Sequence, residues 1–206
     1  MSAASSSSGE PFYPNHNADR RASILEAAVT VIARNGVRGL RVAELAAEAG
    51  VSTALIYYHF TDRKGLVSAA LDHINKRAQT YTTPPPGLEP RAALEKTLLA
   101  EVQDAGRVQV NSIAWGELRA SAVFTPELRE PLRATTAQWN RDIELLIQQV
   151  PDSTTTSPAD SAARLTALVE GLSERWHSDS ITLSQARALL RGAIALEIGP
   201  PDSTRN

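Results

Sequence analysis

Leu40-Arg41-Val42-Ala43-Glu44-Leu45-Ala46-Ala47-Glu48-Ala49-Gly50-Val51-Ser52 reads as a helix, a tight turn and the start of a second helix. Val42, Leu45, Ala46 and Ala49 recur at the spacing of one helical face, and Gly50 tolerates the positive φ that a sharp turn demands. Ala46 is small enough to let two helices cross closely, Val51 plugs the angle between them, and Ser52 is placed to cap the second helix. That helix, about Thr53 to Tyr58, is too short to be stable alone. Ile56 and Phe60 are therefore expected to hold it against its neighbours, which turns Thr53, Ala54, Leu55, Tyr57 and Tyr58 outward. A short helix presented this way is the geometry of a helix-turn-helix, which reads the major groove of double-stranded DNA.

Outward from that stretch the chain reads as helix after helix, with no period-two strand. A first helix spans about Asp19 to Asn35, with Ile24, Ala28, Val31 and Ile32 on one face and Gly36 as its stop. Asp62 can cap a fourth, whose apolar face is Leu66, Val67, Ala70, Leu71 and Ile74. Thr82 to Pro90 holds four prolines and a glycine and is the clearest boundary in the chain. Beyond it the spacing predicts helices over about Pro90 to Asp104, with Leu94, Leu98 and Val102, and over about Val108 to Val123. Thr125 is placed to cap a long helix with Pro126 in its first turn, running to about Gln149. Ser157 opens another to about His177, and Thr182-Leu183-Ser184-Gln185 carries the capping-box pattern for a last one ending near Ile198. The expected fold is all-α with about nine helices. A disordered tail covers 1–17, a small three-helix unit 18–62, and a larger helical unit 63–200.

Composition narrows the function. Apolar residues make up 42% of the 206-residue chain and charged ones 21%, as in ordinary globular proteins, and the net charge is −2. Residues 1–80 carry nine basic and seven acidic side chains, whereas residues 81–206 carry twelve and sixteen. The positive share therefore lies with the helix-turn-helix. There is no cysteine, which removes disulfides, thiolate metal sites and cysteine nucleophiles, and suits a reducing cytoplasm. The N-terminal stretch lacks a basic segment followed by an apolar one, and no apolar run approaches the length of a membrane span. No phosphate-cradling glycine loop or Gly-x-Ser-x-Gly elbow occurs, and the four histidines have no recognised metal spacing. Neither an enzyme nor a cofactor is expected.

Ala46 to Ser52, followed by Ile56-Tyr57-Tyr58-His59-Phe60 and then Arg63 and Leu66, resembles the DNA-binding signature of TetR-type transcriptional regulators. The match runs without gaps from Gly36 to Leu66, and nine helices in about 200 residues also suit that family. The resemblance implies that Thr53, Ala54 and Leu55 meet base edges, while Tyr57, Tyr58, His59 and Arg63 contact phosphates. Arg41 stands where the family often has a capping threonine, so the cap is lost and a guanidinium is offered to phosphate instead. Ala54 stands where glycine is frequent. With Ser52 these residues form the candidate DNA-contacting set. Tyr57 and Tyr58 can also be read as a half-buried aromatic pair, and Arg20, Arg21 and Arg38 as a solvated face.

The same resemblance implies a C-terminal domain that dimerises and binds an effector. Leu165, Leu168, Val169 and Leu172, with Ala188, Leu189, Gly192, Ala193 and Leu196, are the apolar faces of the last two helices and suit a homodimer interface, the alternative being a core within one chain. Trp115, Phe124, Trp139 and Trp176 are candidate pocket walls, although each can equally be core, and Glu117, Asn140 and His177 are candidate polar anchors. Val169-Glu170-Gly171-Leu172 with Arg175-Trp176 is similar to a subgroup containing choline-responsive regulators, which implies an aromatic cage for a quaternary ammonium. The expected partners are a palindromic operator, a second copy of the chain and a small-molecule effector that shifts the fourth helix. The alternative is a DNA-binding regulator that is constitutive or controlled by a protein partner.

Overall fold

The computed structural model describes residues 16–200. The tail expected over 1–17 lies outside the described residues except for His16 and Asn17, which belong to the first helix. The elements are α1 (His16–Gly39), α2 (Val42–Ala49), α3 (Thr53–His59), α4 (Arg63–Thr82), α5 (Pro90–Leu99), α6 (Gly106–Ala122), α7 (Arg129–Gln148), α8 (Pro158–His177) and α9 (Leu183–Ile198). No strand occurs among the described residues.

Local chemistry accounts for most helix ends. Ser52 accepts a hydrogen bond from the Leu55 amide at 3.2 Å, Asp62 from Gly65 at 2.7 Å and Ser157 from Asp160 at 3.3 Å. Thr182 and Gln185 close both halves of a capping box. Arg41 makes no side-chain cap. Gly50 adopts φ 63° and ψ 37°, the left-handed conformation that turns the chain from α2 into α3. At Gly36, φ 71° and ψ 168° break α1, and a short helical stretch then continues to Gly39. Two expectations change. The fifth helix ends at Leu99, where the guanidinium of Arg187 on α9 binds the carbonyls of Leu99 and Val102 at 3.1 and 2.5 Å. Thr125 forms no side-chain cap; a 3-10 turn, Pro126–Leu128, precedes α7 instead.

Two apolar clusters hold the helices. In the first, Ile24, Ala28, Val31 and Ile32 of α1 meet Leu45 and Ala46 of α2, Ile56 of α3, Phe60, the five expected apolar residues of α4, and Ala114, Leu118 and Ala122 of α6. The second joins Leu94 and Leu98 of α5, Val102, Ile143 and Ile147 of α7, Leu165, Val169 and Leu172 of α8, and Leu190, Ile194 and Ile198 of α9. Each large side chain so buried contributes roughly 1.5–3 kcal/mol. The first cluster does not stop at the end of the helix-turn-helix: α6 packs on α1 as part of the same core.

Candidate nucleic-acid interface and effector cavity

The seven-residue α3 is anchored by one fully buried side chain, Ile56, with Phe60 buried just beyond it. That leaves Ser52, Thr53, Ala54, Tyr57 and Tyr58 exposed and Leu55 partly so. Tyr57 and Tyr58 are 58% and 71% exposed, which sets aside the half-buried-pair reading. Arg41 is also exposed, one residue before α2. His59 differs: its Nε2 is shut from solvent without a hydrogen-bond partner, so a phosphate contact through that nitrogen requires the ring to turn. Arg63 is exposed, yet its guanidinium already donates to the carbonyls of Val37 and Leu40. It therefore ties the start of α4 to the segment leading into α2. Beneath this surface, Glu26 of α1 stands between Arg77 of α4 at 2.9 Å and Arg107 of α6 at 3.4 Å, with His73 at 3.0 Å.

A cavity of about 830 Å³ lies among α4, α5, α6, α7 and α8. It is within the size range of ligand sites. Of the candidate effector residues, Trp115 and Trp139 line it. The other expected residues do not. Phe124 is 74% exposed with Arg38 over its ring, and Glu117 turns to Gly36, where an added β-carbon would stand 2.7 Å from its Oε2. Asn140 accepts a hydrogen bond from Thr166 at 2.6 Å, and Trp176 packs on the second apolar cluster. His177 lies one residue behind the wall, 3.0 Å from the hydroxyl of Ser112, and burial lowers its pKa. Leu165, Val169 and Leu172, expected at a dimer face, are instead core.

The cavity is acidic. Its wall carries the carboxylates of Asp72, Glu101, Asp142, Glu170 and Glu174 against the cations Lys76 and Arg119. Glu170 is neutralised by Arg119 at 2.6 Å and also accepts from the Trp115 indole at 3.1 Å. Among the described residues, Glu101 has no such cation. Its hydrogen-bond partner is the Tyr81 hydroxyl at 3.1 Å, and burial pushes its carboxyl up to about 7 against that bond's opposing effect. Asn111 donates to Tyr81 at 3.0 Å and to the carbonyl of Ile74 at 3.2 Å. Sequence reasoning missed Thr97, Glu101 and Asn111. The signal was available: Thr97 and Glu101 interrupt the Leu94, Leu98, Val102 stripe, polar groups where the helical period calls for apolar ones.

Comparison with known proteins bears on both regions. Residues 24–70 match the family model for bacterial regulatory proteins of the tetR family, and residues 90–199 match that for the C-terminal part of BetI-type transcriptional repressors. The HTH-type transcriptional regulator BetI of Burkholderia lata is 25% identical over 189 residues, covering 90% of this chain and 87% of that protein. A crystal structure described as a TetR-family transcriptional regulator from Rhodococcus sp. superposes with a TM-score of 0.82 at 46% identity, covering 88% of this chain and 99% of the other. A Saccharomonospora viridis regulator crystallised with choline shares the fold at 23% identity, with a TM-score of 0.79 and coverage of 88% and 98%. No helix among the described residues is long and apolar enough to cross a membrane.

Proposed function

The chain belongs to the TetR family of bacterial regulatory proteins and is a DNA-binding transcriptional regulator, and from that premise we propose that it is a cytoplasmic, dimeric repressor of a palindromic operator, released by an organic cation bound in the acidic cavity. The observation that carries the effector reading is the cavity itself, which holds five carboxylates against two cations. The choline found with the Saccharomonospora viridis protein agrees in charge with such a lining.

The DNA contacts are assigned from exposure. Thr53, Ala54 and Leu55 meet base edges; Ser52, Tyr57, Tyr58 and Arg41 contact the backbone; His59 joins them after its ring turns. Arg63 acts chiefly by bracing the α1–α2 segment. The units proposed are 18–62 for DNA and 63–200 for ligand and dimer. The dimer face is the outer side of α9, where Leu189 and Leu196 are 53% and 87% exposed beside Ala188 and Gly192, together with the exposed Ala163 of α8.

Two helices carry the signal. Helix α4 lines the cavity through Asn75, Lys76 and Gln79 and reaches the helix-turn-helix through Arg63. Helix α6 lines it through Ser112 and Trp115 while its opposite side packs on α1. A ligand that shifts either helix moves both recognition helices out of register with successive major grooves. A difference of a few kcal/mol between the two states suffices. The test is to challenge an operator-bound dimer with a panel of organic cations and matched neutral and anionic compounds. Release by cations alone supports the reading. Release by none, with binding intact, points to a constitutive or protein-controlled regulator.

A further inference from the structure

Two residues of the cavity wall carry oxygens that are shut from solvent and that the protein itself leaves unused. Thr97 and Asn111 are 8% and 2% exposed, both line the cavity, and Thr97 Oγ1 and Asn111 Oδ1 have no hydrogen-bond partner among the described residues. The orientation of the Asn111 amide is fixed, because the Ile74 carbonyl it meets can only accept. Asn111 therefore donates to Tyr81, Tyr81 donates to Glu101, and the oxygen of the amide is what remains. Glu101, four residues after Thr97, adds a carboxylate with no cation beside it. Buried acceptors left unpaired are costly, and a ligand that satisfies them recovers that cost.

We infer that the cavity binds a primary alkylammonium, its nitrogen donating to Glu101, Asn111 Oδ1 and Thr97 Oγ1, and that it selects against quaternary ammonium ions. The inference rests on the proposed role of the cavity as the effector site. A primary ammonium brings one positive charge and three N–H donors, matching one carboxylate and two neutral acceptors. A quaternary ammonium brings the charge without any donor, and would bury the same oxygens unpaired. It needs a cage of aromatic faces instead. Trp115 and Trp139 are the aromatic residues that line the cavity among those described, and the guanidinium of Arg119 already lies 5.3 Å from the Trp115 ring centre. Phe124 and Trp176 are elsewhere. Two indoles, one of them already beneath Arg119, do not make that cage, whereas Glu101, Asn111 and Thr97 share the cavity wall.

The experiment is calorimetric titration of the full-length dimer at pH 8 with n-alkylamines from butyl to octyl, 1,4-diaminobutane, and the N-trimethyl analogue of each monoamine. The expected result is at least tenfold tighter binding of the amine than of its trimethyl analogue. In Glu101→Gln, which keeps an acceptor for Tyr81, amine affinity should fall at least tenfold and the preference disappear. In Thr97→Val the loss should be smaller, about threefold to tenfold. Equal or tighter binding of the trimethyl compounds to the unmodified protein, a comparison that needs no variant, overturns the inference while leaving the effector role of the cavity standing. A preference unchanged in Glu101→Gln also overturns it. Binding of no cation at all overturns both.

Discussion

Glu101 is where burial and charge conflict most directly. Its carboxyl, held near 7 in the folded chain against an ordinary 4.5, keeps a proton that the unfolded chain gives up. The folded state therefore binds more protons between those two values, and stability contributed by this group is fully present below pH 4.5 and lost as pH rises through about 7. Tyr81 from α4 faces the carboxyl directly, and Asn111 from α6 and Arg77 from α4 act on it through Tyr81. Glu101→Gln removes the titration. Denaturant unfolding of the ligand-free protein should show the variant close to the parent near pH 5 and more stable at pH 8, by up to about 3 kcal/mol. An equal difference at both pH values would show that the carboxyl is not held protonated. On the DNA side, Tyr57 and Tyr58 stand clear of the core, so loss of their hydroxyls should cost binding and leave the melting temperature unchanged.

Among the elements, α2, the turn and α3 were legible in the sequence because the determinants are local. Gly50, Val51 and Ser52 set a turn within three residues, and Ile56 and Phe60 supply the anchor within the next eight. The cavity was not legible, because Thr97, Glu101 and Asn111 come together only when α5, α6 and the Tyr81 end of α4 pack. Aromatic residues misled for a related reason. Trp176 and Trp139 look alike in sequence and both pack on the second apolar cluster, yet Trp139 alone of the two also lines the cavity. The turn yields its own prediction. Gly50→Ala forces a β-carbon into φ 63° with no neighbour within 4 Å, so the cost is conformational, about 1–2 kcal/mol. A melting temperature lowered by roughly 2–8 °C should accompany it. No change would mean that the turn adopts another conformation.

Across the whole molecule, the proposed repressor needs two recognition helices held at one spacing, and the pieces that would set it reach from one end of the chain to the other. Arg187 of α9 holds the carbonyls on either side of Glu101, so the proposed dimer helix grips the turn that carries the cavity's carboxylate. Leu189→Glu with Leu196→Glu should place charge on the outer face of α9 without touching the core. Sedimentation should then report monomers, and operator affinity should fall by about 100-fold or more through loss of bivalency. A variant that stays dimeric would move the interface elsewhere.

The proposed regulation begins with α3 reading DNA. The most direct test is fluorescence anisotropy of the protein's own upstream intergenic duplex, titrated at two salt concentrations with the parent chain and with Tyr57→Phe/Tyr58→Phe. Saturable binding by dimers, steeply weakened by salt and at least tenfold weaker in the variant, is the predicted result. Equal and weak binding of both proteins to this and to scrambled DNA, with no sequence enriched from random duplexes, would contradict it.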